Sequence, residues 1–397
     1  MNRKGSVTVF LMIFFVSIVS CTAIFISQSE RLAVKGCAES ISTVTAQAIL
    51  AEYDINLKNR YELLGFYGLE RDVNSKCSFY VKKSLGKKKY VRYEGASCSI
   101  DDYSLCNIKV FEKQVKEAGK LALAGKLIPS EEKQENLQKE NEIKNESISY
   151  YLPSKGVTGK IHIERLAELL KNAGSVKDIA GAGKDRVLIN AYADNFFSSA
   201  SGGGCEIPGY FSYEKEYLVA GKLSDSGNSG SVRNRIIGIR EILNYAFLKK
   251  DSVKYAEALA AAEILTPGPQ AAVTCEALLA SWALAESVND YKLLINSHKV
   301  PVMKTAEMWA VDLDSVINNQ EKGCIFTGIE RGETYDDYLT LFLYEMDKEL
   351  LLLRMMDLVQ INMKYLYYGD FYLKEYNGGV KVSFTLNGDD YECEKEY

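Results

Sequence analysis

The sequence predicts a mainly α protein with a minor β part (α+β). A single N-terminal transmembrane helix continues into a stalk and an extracytoplasmic head. Three observations predict this. Val7 to Ile26 is an apolar run without a formal charge. Much of the chain after Val232 has helical periodicity, and a few short segments alternate as strands do. The 397 residues are 47% hydrophobic and 25% charged, enough to bury a real core and long enough for two or three units.

The first element is the stretch RKGSVTVFLMIFFVSIVSCTAIFISQSERL, Arg3 to Leu32. Twenty uncharged residues at about 1.5 Å each match a hydrocarbon core of roughly 30 Å. The polar members of the run, Thr8, Ser17, Ser20, Cys21 and Thr22, are small. Their hydroxyls can return to the helix backbone, which lowers their cost in lipid. The run exceeds the apolar region of a secretory signal, and no strong Ala-x-Ala follows it. An anchor is therefore expected rather than a cleaved signal. Arg3 and Lys4 precede the run and favour a cytoplasmic N-terminus, which puts the remainder outside. The short tail 1–6, the transmembrane helix 7–27 and a helical stalk 28–65 follow from this reading. From Cys37 to Leu64 there is no Gly or Pro, and Gly65 and Gly68 are the expected terminators.

Arg3-Lys4-Gly5-Ser6, followed at once by the apolar run, resembles the start of TadE/TadG-like pseudopilins of tight-adherence (Flp-type) pilus machinery. The likeness covers Arg3 to Gln47. It implies prepilin-type processing between Gly5 and Ser6. It also implies partners among pilus or secretion-system membrane proteins, met through the N-terminal helix. The Glu that such proteins often carry a few residues after the Gly is absent from Ser6 to Phe10.

The segment 66–128 is expected to be α+β. KCSFYVKKSL and KKYVRYEG read as strands separated by Gly86, and 108–128 as an amphipathic helix. The next stretch, 129–150, is a charged linker: residues 130–147 carry nine charges in eighteen positions. The head is assigned to 151–397. IHIERLAELLKNAG is a helix closed by Gly174, while SSASGGGCEIPG and LSDSGNSGSVRN read as loops. Helices follow from Val232 to Thr266-Pro267, and again over AAVTCEALLASWALAESVNDYKLL. DYLTLFLYEMDKELLLLRMMDLVQINMKYL reads as one long helix, with Leu339, Leu343, Met346, Leu350 and Leu353 on its core face. GGVKVSFTLNG reads as one half of a hairpin. The run from Arg240 to Gln360 is similar to an uncharacterised family of membrane-anchored proteins from Gram-positive anaerobes. The likeness lies in SWALAESVNDYKLL, HKVPVMKTAEMW and DDYLTLFLYEMDKELLLLRMMDLVQIN. Its members tend to carry a TadE-like start, and the resemblance implies no activity.

The chemistry expected of the rest is sparse. A net charge of −5 argues against a nucleic-acid partner. His162 and His298 lack zinc-ligand spacing, and His162 reads as a surface residue. AGAGKDR departs from a phosphate loop at Asp178 and Asp185, and GNSGS lacks the second Gly of a nucleophile elbow. Asp336 and Asp337 read as helix-capping acids, and Trp282 and Trp309 as core. Of nine Cys, eight lie beyond the apolar run. They fit reduced thiols or one to three disulfides, with Cys77, Cys98 and Cys106 as the candidates. No catalytic residue, cofactor, metal or small-molecule substrate is assigned. The expected function is a non-enzymatic, pseudopilin-like component or accessory of a tight-adherence pilus or secretion system. The alternatives are an anchored extracytoplasmic ligand-binding module and an anchored cell-envelope hydrolase. A pocket with clustered polar residues would favour the last.

Overall fold

The computed structural model describes residues 3–86, 91–125, 151–180, 183–201, 209–320 and 323–397. The expected linker 129–150 and Cys205 lie outside the described residues. The fold is α+β with small sheets, as expected. The chain forms two compact units. The first comprises Met1–Lys58, Leu64–Val110 and Leu373–Tyr397, and the second Asn59–Leu63 and Phe111–Tyr372. The C-terminal hairpin, expected in the head 151–397, belongs instead to the first unit.

In the first unit, α1 runs without a break from Arg3 to Leu50. Its C-terminal half buries Val34, Ala38, Ile41, Ser42, Thr45, Ala46, Ile49 and Leu50. These recur at three- and four-residue steps, so one stripe faces the core. The stalk differs from its expected form. The helix stops at Leu50, turns through 51–54, and resumes as α2, Ile55–Tyr61. Absence of Gly and Pro does not by itself sustain a helix. Asp54 ends the first by capping the second, its Oδ1 accepting from Leu57 N at 2.7 Å. Gly65 and Gly68 flank the short strand β1, Phe66–Tyr67, rather than ending a helix.

KCSFYVKKSL is helical, not a strand, and lies in α3, Glu70–Leu85. The buried residues Val73, Cys77, Val81 and Leu85 are spaced four apart, a helical stripe hidden behind an alternating text. Glu70 and Asp72 in the first turn and Lys82 and Lys83 in the last complement the helix dipole. Gly86, at φ 58°, closes it. KKYVRYEG enters a strand only at its end: β2 is Tyr93–Ser99, Val91 and Arg92 precede it outside the strand, and 88–90 lie outside the described residues. Two-residue β3, Tyr376–Asn377, pairs antiparallel with β1. Strands β4, Gly379–Leu386, and β5, Asp389–Glu396, complete an antiparallel sheet of order β2-β4-β5. The hairpin is made by Asn387 and Gly388, at φ 54° and 81°. Positive φ at both positions gives the tight turn that an Asn-Gly pair favours. Val380, Val382, Phe384 and Leu386 alternate inward from β4 onto α1 and α3.

The second unit is helical among its described residues. Its elements are α4, Ile108–Leu123, which belongs to this unit from Phe111 on; α5, Ile163–Ala173; α6, Val176–Ala180; α7, Lys184–Phe196; and α8, Glu214–Ala220. They continue with α9, Asp225–Leu248; α10, Ser252–Leu265; α11, Ala271–Ile295; α12, Leu313–Ile317; α13, Tyr335–Glu345; and α14, Lys348–Leu366. SDSGNSGS, read as loop, opens α9. Ser224 caps the helix by accepting from Gly227 N at 3.3 Å, and the local cap outweighs the glycines. The long helix expected over 337–366 is two. Met346 is extended at ψ 153°, and Asp347 starts α14 by accepting from Glu349 N and Leu350 N. Of the five residues assigned to its core face, Leu353 is half-buried and the other four are buried. Apolar residues of α14 are buried all round it, as in a central core helix.

Candidate functional site

The most distinctive surface lies on α1. Between Val7 and Ile26, every large apolar side chain is 44% to 76% exposed. An exposed apolar patch of this length is found on proteins that meet a membrane or a partner. Ser17 donates to Ile13 O at 2.9 Å, and Thr22 to Ile18 O and Val19 O at 3.0 and 2.9 Å. The Ser17 and Thr22 hydroxyls are thus satisfied within the helix, as expected of them. The helix is long and apolar enough to cross a membrane. So is α11, but α11 buries Glu286 and Asp290 in ion pairs and is a core helix of the second unit. Arg3, Lys4, Gly5 and Ser6 occupy the first two turns of α1.

The exposed run passes directly into the packed half of α1. Arg31 reaches Asp389 of β5 at 3.4 Å, and Lys35 reaches Glu39 at 3.9 Å. These are exposed pairs, worth well under about 1 kcal/mol each. The seat itself is apolar: α1 packs on α3, β4 and β5, and Tyr397 Oη donates to Leu50 O. The same core holds two of the three candidate cysteines. Cys77 of α3 and Cys98 of β2 are unbridged, buried and in hydrogen-bond contact. That bond lowers the Cys77 thiol below its ordinary range, while it and burial push Cys98 up. Cys106 sits in the turn before α4, its amide donating to Ser104 Oγ at 3.2 Å.

In the second unit, two buried polar clusters escaped the sequence reading. In YEKEY, all side chains from Glu214 to Val219 are buried. Glu214 accepts from Asn362 Nδ2 at 2.5 Å and from Ser198 N at 3.1 Å, with Arg60 at 3.9 Å. Glu216 accepts from Ala200 N at 3.0 Å and from Tyr335 Oη at 2.8 Å, while its Oε2 has no partner. Burial pushes both carboxyls above the ordinary range, against these hydrogen bonds. Lys215 between them pairs with Asp194 at 3.0 Å and Asp336 at 3.5 Å. Asp336 therefore anchors Lys215, while Asp337 forms a capping box with Thr334. Three charges in seven residues signal an exposed helix by composition; nothing local marks them as buried.

The second cluster joins α9 to α11. Arg240 Nε donates to Asp290 Oδ2 at 2.8 Å, and its Nη1 donates to Pro301 O and Val302 O at 2.8 and 2.9 Å. Lys304 pairs with Asp290 at 2.5 Å and with Glu286. Glu286 also takes the amides of Ala310 and Val311. Burial alone would raise Asp290, but Arg240 and Lys304 hold it below the usual carboxylate range. Beside this network both indole N–H groups, of Trp282 and Trp309, donate to Val311 O at 2.7 and 2.8 Å. Both tryptophans are core, as expected.

Glu214, Glu216, Glu286 and Asp290 are buried, while the partners of Lys215, Asp194 and Asp336, bring the first cluster to the surface. A concave polar surface lies at the start of α9. There a depression of about 490 Å³ is lined by Lys222, Ser226, Ser231, Asn234, Arg235 and Ile163, among others. Arg235 is partly committed, donating to Val219 O at 2.8 Å. His162 is exposed at the start of α5, and His298 meets Glu330 at 3.2 Å. Among the described residues, no three His, Cys, Asp or Glu side chains form a group able to hold a metal.

A model of a family of unknown function, DUF5702, matches residues 125–388, and the chain belongs to that family. The matched span contains Arg240 to Gln360. No curated protein and no solved structure matches.

Proposed function

We propose that this protein is a single-pass membrane protein whose apolar α1 half is a retained anchor. Its N-terminus faces the cytoplasm and the residues after the anchor lie outside. The observation that carries the reading is the abrupt change along one unbroken helix. Val7 to Ile26 exposes its apolar side chains, and Val34 to Leu50 buries one stripe in a protein core. A removable signal ordinarily ends in a small-residue cleavage site. Here the same helix runs on into the packing of α3, β4 and β5. Arg3 and Lys4 supply the orientation.

The role that fits best is structural: a pseudopilin-like component or accessory of a tight-adherence pilus or secretion system. The support is Arg3-Lys4-Gly5-Ser6 before the apolar run. Glu286 and Asp290 of the second unit are consumed by internal partners, which suits a scaffold better than a hydrolase. Mass spectrometry of the N-terminus from membranes tests it. Prepilin-type processing yields a chain that begins at Ser6, and Gly5→Ala abolishes the cut. An intact N-terminus leaves the anchor and removes the pilus role.

A second reading, an anchored ligand-binding module, is favoured by the depression around Lys222 and Arg235. Its two cations and its hydroxyls suit a polar or anionic ligand.

A further inference from the structure

We propose that Cys77 and Cys98 are the two partners of a disulfide that locks α3 onto the β2-β4-β5 sheet. The inference rests on the extracytoplasmic placement proposed above, because disulfides persist in oxidising compartments. Of the three cysteines in the 66–128 segment that the sequence singles out, the structure brings these two into contact.

The geometry is fixed from both sides. Cys77 lies in the buried stripe of α3, between Val73 and Val81. Cys98 is the one buried residue of β2. Two hydrogen bonds hold the facing backbones. Cys98 N donates to Asn74 Oδ1 at 2.5 Å, one turn before Cys77. Ser78 Oγ, the residue after Cys77, donates to Ala96 O at 3.2 Å. On its other side β2 is paired with β4, Cys98 opposite Val382. Both backbones are thus held side by side at the two cysteines, and wide separation is the usual obstacle to a bridge.

Before α3 docks, either thiolate of the pair can open the exchange, and the product is the same. Where Cys77 leads, it attacks one sulfur of an exported thiol–disulfide oxidoreductase and expels that enzyme's other thiolate. Cys98 then loses its proton and attacks Cys77 Sγ in the mixed disulfide, releasing the enzyme as a dithiol. Two protons and two electrons leave the pair, and the enzyme's disulfide accepts the electrons. Both cysteines are buried in the folded unit, so the reaction precedes the docking of α3. The finished bond is then shielded from reductant.

The test uses the full chain. Membranes are acid-quenched, denatured and alkylated with a maleimide-polyethylene glycol, with and without prior reduction. The same measurement is made on detergent-solubilised protein refolded from urea with oxidised glutathione. Two more alkylations after reduction than before are expected in both samples. A peptide joining Cys77 to Cys98 should appear in the digest, and C77S and C98S should each expose the other thiol. Linkage of either cysteine to Cys106, or two reactive thiols after refolding, overturns the pairing. Pairing after refolding, with both thiols reactive in membranes, instead refutes the extracytoplasmic placement and leaves the pairing standing.

Discussion

Replacing Phe14 and Phe15 by Asp tests the anchor without disturbing the fold. Phe14 and Phe15 are 56% and 68% exposed, so their loss costs the first unit little packing. Val7 to Ile26 holds thirteen Val, Leu, Ile and Phe residues. On the insertion scale these favour the membrane by about 4 to 8 kcal/mol together. One Asp near the centre, with its Phe removed, costs about 3 to 4 kcal/mol and weakens insertion. The pair costs about 6 to 8 kcal/mol and cancels it.

The assay is flotation of carbonate-washed membranes on a density gradient, which separates lipid-bound chains from aggregates. Wild type should float at full length, or shortened only as far as Ser6. The single variant F14D should float in part, and F14D/F15D should remain in the dense fractions. V253D, at a 74% exposed site of the second unit, is the control and should float as wild type does. Flotation of F14D/F15D at the wild-type level refutes the argument. So does a mature chain that begins beyond Ile26.

Asp290→Ala leaves Arg240 and Lys304 facing each other in a dry core and should cost about 3 to 5 kcal/mol. The double variant R240M/D290L should cost much less, and Trp282 and Trp309 fluorescence in urea reports both. Gly119→Ala places its Cβ 2.2 Å from Leu188 O, forcing α4 away from α7, and should cost about 1 to 3 kcal/mol in the same titration. Glu216→Gln bears on pH. The folded carboxyl is raised above its ordinary 4.5, so native protein holds this proton more tightly than unfolded chain does. Its contribution to stability is present below 4.5, and is lost as pH rises through the raised folded value. At pH 8 E216Q should therefore match or exceed the wild-type urea midpoint, and its midpoint should lose that share of the slope above pH 4.5. A large drop at pH 8 would show that the charge itself is needed.

Periodicity made most of the helical fold legible, and local chemistry decided where it failed. In α3, Phe79 and Tyr80 supply a strand-like text, yet the stripe through Val73, Cys77, Val81 and Leu85 is helical. Weighing one face rather than single residues would have found it. The break at Met346–Asp347 lies inside an unbroken apolar stripe, and only the capping acid betrays it. The exposed apolar half of α1 was readable because a long run without charge is visible in the sequence alone. The clusters around Glu216 and Asp290 were not, because each depends on partners far away in sequence: Tyr335 for Glu216, Arg240 and Lys304 for Asp290. Composition treats such charges as surface until a tertiary contact buries them.

Of these acids, Glu286 and Asp290 are committed to protein partners. A hydrolytic acid must reach a substrate or a water. Glu286 instead spends its oxygens on Lys304 and the amides of Ala310 and Val311, and Asp290 on Arg240, Asn244 and Lys304. Both acids hold the 300–313 segment against α9 and α11, where truncation leaves an uncompensated charge. A binding role makes its demand elsewhere, at Lys222 and Arg235 around the open depression. Lys222→Glu, on the exposed side of that depression, gives the contrast its sharpest form. It should leave flotation and the urea midpoint unchanged, because Lys222 lies outside both the apolar half of α1 and the buried clusters. If it also leaves partner recruitment at the membrane unchanged, Lys222 takes no part in recruitment and the binding reading loses its support. Loss of recruitment with stability intact would move the function to the second unit and overturn the scaffold reading.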